Sequence, residues 1–183
     1  AEAFARFAGM MAAHFSGRVS HFITLNEPQI VLKLGYADGI HAPGKRLSLP
    51  GLVSCWKNLM LAHGLSFRAI RNAAPEALIG IASTGKLCYP HSPADEDAAR
   101  QETFRLTDAD WMFTHPIVLD AVCFGSVEPE EGRLRELLST VTPEEWDTMH
   151  AVPDFIGINS YNGSEIAAGP DGAPVYLPRP QGF

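Results

Sequence analysis

Three short apolar runs punctuate this chain, at residues 19–25, 77–83 and 154–160, and a helical stretch precedes each. That order, helix then strand three times over, leaves few architectures. A run such as ALIGIAS is apolar on both faces, and a strand buried on both faces belongs to a parallel sheet covered by helices. Three such units close no sheet. A complete eight-stranded barrel takes about 250 residues, whereas this chain has 183. It therefore reads as α/β, a portion of a (β/α)8 barrel of about three βα units, with residues 1–183 as a single partial domain.

The helices have their own signals. Phe4, Phe7, Met11 and Phe15 recur at steps of three to four, which marks an amphipathic helix over 1–15, closed by Gly17. Leu52, Trp56, Leu59, Ala62 and Leu65 line one side of a long helix over 51–73, and Pro75 breaks the chain after it. A third helix is expected over 95–113, because Asp95-Glu96-Asp97 suits the positive end of a helix dipole. A short helix follows near 130–138, and another starts at Thr142-Pro143, with threonine as cap and proline at the first helical position. GYADGIHAPGKR reads as a loop, and Pro-Asp-Gly in the tail reads as a hairpin turn.

Composition narrows the function classes. The net charge is −7 and the fourteen basic residues are scattered, which argues against a nucleic-acid partner, since phosphate neutralisation needs clustered cations. Cys55, Cys88 and Cys123 are far apart, with no CxxC spacing. They form neither a zinc site nor a disulfide set, and free thiols point to a reducing compartment. No apolar run reaches the roughly 18 residues that span a bilayer, and AEAFARF does not read as a signal peptide. The expectation is a cytoplasmic protein with no membrane partner.

Two strand exits carry chemistry. The first ends in Asn26-Glu27-Pro28. A residue before proline is steered out of the helical region, so Glu27 is expected to be extended, its carboxyl aimed by rigid backbone. The carboxyl ends of the strands are where parallel barrels place their active sites. The second exit reads Asn159-Ser160-Tyr161-Asn162-Gly163, an amide and a phenol two residues apart on one side of a strand. Each has a bland alternative: a polar strand exit for the first, an Asn-Gly turn for the second.

Taken together, the two exits resemble glycoside hydrolase family 1, the retaining β-glucosidases and β-galactosidases of (β/α)8 fold. ITLNEP is similar to that family's motif at the end of the fourth strand. GYADGIHAPG resembles the loop after it, NLMLAH the family's N-L-L-x-A-H helix, and DFIGINSY the sixth-strand motif DFIGINYY. The resemblance implies that Glu27 is the general acid/base, Asn26 a sugar-positioning group, Tyr161 the partner of the nucleophile and Asn159 a polar residue beside it. A retaining glycosidase needs two carboxyls about 5 Å apart, and neither role calls for a cofactor or a metal. The implied substrate is a small saccharide or an aryl β-glucoside.

This sequence departs from the family pattern in three ways. The nucleophile motif, T/I-E-N-G on the seventh strand, is not in the chain, so the second carboxyl is expected from barrel segments outside it. Glu165 is a remote substitute, since it follows the strand end on a loop. Gln29 stands after Asn-Glu-Pro where many members carry an aromatic residue, which implies a position on the leaving-group side. Ser160 replaces a tyrosine. Two further readings stay open: a catalytically incompetent fragment with a structural or sugar-binding role, and a 6-phospho-β-glycosidase. Asp38 and His41 make a poor metal pair, and His63, His91 and His115 read as local structural residues.

Overall fold

The computed structural model describes residues 1–178. Helix α1 (Glu2–Phe15) leads into strand β1 (His21–Asn26), a single helical turn α2 (Pro28–Ile30) and a π-helical segment over Val31–Ala37. Helix α3 (Leu49–Ala73) leads into β2 (Leu78–Thr84) and a short β3 (Cys88–Pro90). Four helices then precede the next long strand: α4 (Glu96–Phe104), α5 (Pro116–Phe124), α6 (Arg133–Leu138) and α7 (Pro143–Met149). They end at β4 (Phe155–Asn159), which β5 (Ser164–Ala168) and β6 (Pro174–Tyr176) follow.

The three expected strands make one parallel sheet in the order β1-β2-β4. In-register partners share a face of the pleat, so Phe22↔Ile79 and Ile81↔Ile156 form an apolar stripe on one side. Ile81 joins Trp56, Met60, Ile117 and Val118 in the main core. Phe22 and Ile79 pack with Ala12 and Ile70 in a second cluster between α1, α3 and the sheet. Each fully buried side chain of this kind contributes about 1.5–3 kcal/mol. Gly9 lets α1 come close to α3, since a Cβ there would lie 3.3 Å from the Ala69 Cβ. Trp56 and Trp111 are core residues, and the Trp56 indole donates to the Ile117 carbonyl at 2.7 Å.

The third helix differs from expectation. It ends at Phe104 and not at 113, and a separate helix over Pro116–Phe124 follows. Thr107 is the reason for the break. Its hydroxyl accepts from the Asp110 amide at 3.1 Å and its own amide donates to the Asp110 carbonyl at 3.1 Å, a turn that competes with helix. The helix that was missed carries proline at its first position and a left-handed Gly125 after its end, the asymmetry that marks helix boundaries. At Thr142 the cap forms as expected: its hydroxyl accepts from Glu145 N, and the Glu145 carboxyl accepts from Thr142 N.

The tail forms the expected hairpin, β5 antiparallel to β6, with Gly172 at φ 80° in the turn. Less legible was β3, which pairs parallel with β5 and builds a second small sheet. His63 is not a local residue either. It is fully buried in α3, where Nε2 bonds the Ala151 carbonyl at 2.9 Å and Nδ1 the Thr24 hydroxyl at 2.7 Å. Lys33 holds Asp38 at 2.8 Å. Cys55, Cys88 and Cys123 are free thiols.

Candidate active site

The site begins where the β1–β2 ladder goes out of register. Pairing slips between Ile23 and Asn26, and Asn26 comes to lie opposite Ala82. Glu27 then donates its amide to the Ala82 carbonyl at 2.8 Å. Its backbone is not extended as expected: φ is 50° and ψ is 56°, the left-handed region. Proline at 28 bars the right-handed region, and the chain takes the left-handed exit because α2 starts at once. The Glu27 carbonyl accepts from Ile30 N at 2.9 Å and closes that turn. A non-glycine residue held there costs about 1–2 kcal/mol, and such conformations gather at functional sites.

The second strand exit meets this carboxyl. Asn159, at the last position of β4, donates from Nδ2 to Glu27 Oε1 at 2.6 Å and to Asn26 Oδ1 at 3.2 Å. The Tyr161 hydroxyl donates to the same Oε1 at 3.0 Å. Four of the five residues singled out from sequence, Asn26, Glu27, Asn159 and Tyr161, thus form one hydrogen-bonded cluster. The contact with Glu27, and the negative charge behind it, push the Tyr161 phenol above its ordinary pKa. Tyr161 is otherwise 81% exposed. Beside it lies a cavity of about 250 Å³ lined by Thr84, Lys86, Phe113, Asn159, Tyr161 and Asn162. A larger hollow of about 380 Å³, between 16–20 and 74–77, opens at the amino ends of β1 and β2 and holds none of these groups.

Gln29 is not brought to the cluster. It is 1% exposed, with Nε2 donating to Ser83 Oγ at 2.7 Å and to the Thr114 carbonyl at 3.2 Å. Glu165 also lies apart: it sits on β5, where His91 Nδ1 contacts its carboxyl at 2.9 Å. That partnership raises the His91 pKa, through the hydrogen bond first and the carboxylate charge second. Among the described residues the cluster holds a single carboxyl.

Two groups near the site were invisible in the sequence. Ser83 Oγ, which the Gln29 amide reaches, also contacts His115 Nδ1 at 2.9 Å. Burial holds the His115 pKa below the usual histidine value. Lys86, just beyond β2, bonds Glu102 at 2.7 Å and Asp110 at 2.6 Å, and Glu102 also accepts from the Tyr176 hydroxyl at 2.7 Å. Burial disfavours the Lys86 charge, yet the two carboxylates outweigh it and its pKa rises. No local pattern marks either group, because each is assembled from segments far apart in the chain. Among the described residues, no three metal-binding side chains converge, and no helix is long and apolar enough to cross a membrane.

The chain has known relatives. The family model of glycosyl hydrolase family 1 matches residues 1–174. The 1,4-beta-D-glucan glucohydrolase of Thermotoga neapolitana is 28% identical over 171 residues, covering 93% of this chain and 39% of that relative. Beta-glucosidase A of Thermotoga maritima is 29% identical over 175 residues, covering 93% of this chain and 37% of its own length. Among solved structures, the virulence factor SghA in complex with its substrate analog salicin superposes with a TM-score of 0.77 at 25% identity, covering all of this chain and 40% of that one. The chain thus spans less than half the length of these relatives, and its three βα units are a portion of a (β/α)8 barrel. With the family model matching nearly the whole length of it, the chain is a member of glycosyl hydrolase family 1.

Proposed function

We propose that this chain supplies the acid/base half of a retaining β-glucosidase site, with Glu27 as general acid/base and the nucleophile coming from barrel segments outside the chain. The observation that carries this reading is the convergence of Asn159 Nδ2 and Tyr161 OH on one oxygen of Glu27, Oε1, at 2.6 and 3.0 Å. Both are donors, so Oε1 acts as acceptor. Among the described residues Oε2 takes no hydrogen bond, which leaves it to carry the proton that the leaving oxygen needs.

The chemistry follows from that division. In the first step a second carboxylate attacks the anomeric carbon, the glycosidic C–O bond breaks and the Oε2 proton passes to the leaving oxygen; in the second, water attacks the same carbon, Glu27 takes its proton and the carboxylate is released. Asn26, tied to Asn159, is positioned for a sugar hydroxyl. Tyr161 stands where its phenol can pass from Glu27 to the incoming nucleophile and restrain it. Both reactive roles belong to carboxyls, so no cofactor is required. The names of the relatives, a glucan glucohydrolase and a β-glucosidase, favour a small β-glucoside as substrate. A cluster with one carboxyl has no nucleophile, so the chain by itself should not turn over.

The test is p-nitrophenyl β-glucoside hydrolysis by this chain, by the barrel completed with its missing segments, and by both with Glu27→Ala. The chain alone should be inactive. The completed barrel should release the β-anomer first by proton NMR and slow with Glu27→Ala, most of all for aryl glucosides with poorer leaving groups. Turnover undiminished by Glu27→Ala would overturn the assignment.

A further inference from the structure

The left-handed conformation of Glu27 needs an external hold. A three-residue turn has little stability of its own, because helix nucleation is unfavourable. Two backbone bonds help, Glu27 N to the Ala82 carbonyl and Ile30 N to the Glu27 carbonyl. Neither of them anchors the far side of α2. That side carries Gln29, two residues beyond Glu27 and buried at 1% exposure.

The Gln29 amide is oriented by its surroundings. The Thr114 carbonyl can only accept, so Nε2 faces it at 3.2 Å; the Thr84 amide can only donate, so Oε1 faces it at a longer 3.5 Å. Nε2 also donates to Ser83 Oγ at 2.7 Å. Ser83 Oγ in turn lies 2.9 Å from His115 Nδ1, a hydrogen bond whose direction follows the imidazole tautomer. The hydrogen bonds therefore link Gln29 to Ser83 and Ser83 to His115, and His115 is the residue that opens α5. Through it the turn after Glu27 is fastened to the tip of β2 and to the start of α5.

We propose that Gln29 is a positioning residue for Glu27: through Ser83 and His115 its buried amide clamps α2 to the β2 tip and keeps the Glu27 carboxyl under Asn159 and Tyr161. The inference rests on the acid/base reading for its kinetic consequence, and on geometry alone for its structural one. Gln29 touches no substrate in this role. It acts through the backbone of the residue two before it.

Two readouts separate a clamp from general packing. The first is kcat/KM of the completed barrel for aryl β-glucosides with poor and good leaving groups. Gln29→Met keeps the volume and removes every hydrogen bond. It should lower the poor-leaving-group rate about a hundredfold, the scale of a small misplacement of a catalytic group, with much less loss for good leaving groups and KM nearly unchanged. Ser83→Ala, which deletes only the middle of the chain, should act in the same direction and serves if Gln29→Met does not fold.

The second readout needs no turnover. A carbon-13 tyrosine titration of this chain, with Tyr161→Phe to assign the signal, should find the Tyr161 pKa falling back toward about 10 in Gln29→Met, as in the Glu27→Ala reference. An unchanged Tyr161 titration, or equal rate losses for both leaving-group classes, overturns the clamp. If Glu27→Ala itself shows no leaving-group dependence, the acid/base reading fails, and the titration still decides the clamp.

Discussion

Tyr161 and Glu27 lie 134 positions apart in the chain and meet at 3.0 Å, the phenol donating to carboxyl oxygen Oε1. Asn159 reaches the same oxygen from the last position of β4 at 2.6 Å. Two loop exits from strands that never pair with each other thus share one acceptor atom.

Asn159→Ala removes the shorter of the two bonds to Glu27 and frees the carboxyl to rotate. In the completed enzyme, kcat/KM should fall by about 10²-fold, the usual effect of losing one well-placed donor. Stability should change by less than about 1 kcal/mol in a urea titration, because the site is open to water.

Glu27→Gly and Glu27→Ala should part company in stability although both remove the acid/base carboxyl. Each deletes the carboxyl, but only glycine is unstrained at φ 50°. Thermal unfolding should find the glycine variant more stable than the alanine variant by about 1 kcal/mol. Equal stabilities would mean that the backbone relaxes away from the left-handed region once the side chain is gone.

Much of this was legible in the sequence, and the reasons differ by element. The three strands showed because each is a short apolar run bounded by turn residues, although only β2 is buried along nearly its whole length, while β1 and β4 carry exposed positions. The Thr142 cap showed because its partner Glu145 lies three residues on. What escaped was either a contest between local turns and helix, as at Thr107, or a contact made across the fold. Glu27 was expected to be extended because the rule for residues before proline speaks only against the right-handed region. Gln29 was placed by its neighbour in sequence, whereas its environment is set by Ser83 and Thr114, 54 and 85 positions away.

Acidification should weaken the fold through His63. Burial, the largest influence, holds its pKa below the ordinary value of about 6.5. The unfolded chain therefore binds a proton that the folded one refuses, and the unfolding free energy falls with pH across that interval. Stability should be full above about 6.5 and decline as pH drops toward the folded value. Chemical denaturation at pH 7.5 and 5.5 checks this, with His63→Gln expected to flatten the dependence.

Lys86→Met leaves Glu102 buried without its cation. Removing one partner of a buried ion pair costs about 3–5 kcal/mol, and Arg105, at 3.8 Å from Glu102, is too distant to replace it in full. Adding Glu102→Gln should recover part of the loss, and a double-mutant cycle by urea unfolding measures the coupling.

Gly64→Ala should be among the most damaging small changes. A methyl group there would run into the carbonyl of Thr148, where α3 lies against α7. Backbone cannot step aside as a side-chain tip can, so a loss of about 2–3 kcal/mol is expected, measurable as a lowered urea midpoint.

The middle position of β2 carries a further consequence. Glu27 takes its place from the Ala82 carbonyl, and Asn159 takes its place from pairing with Thr84. The distance between the two sides of the site is thus a tolerance inherited from a strand that supplies no reacting group of its own. A slip of one residue by β2 would displace each neighbour by about 3.3 Å and reverse which side chains face the cleft. Substitutions in the interior of ALIGIAS should therefore degrade catalysis by spoiling alignment, as a bent gauge spoils every part measured against it.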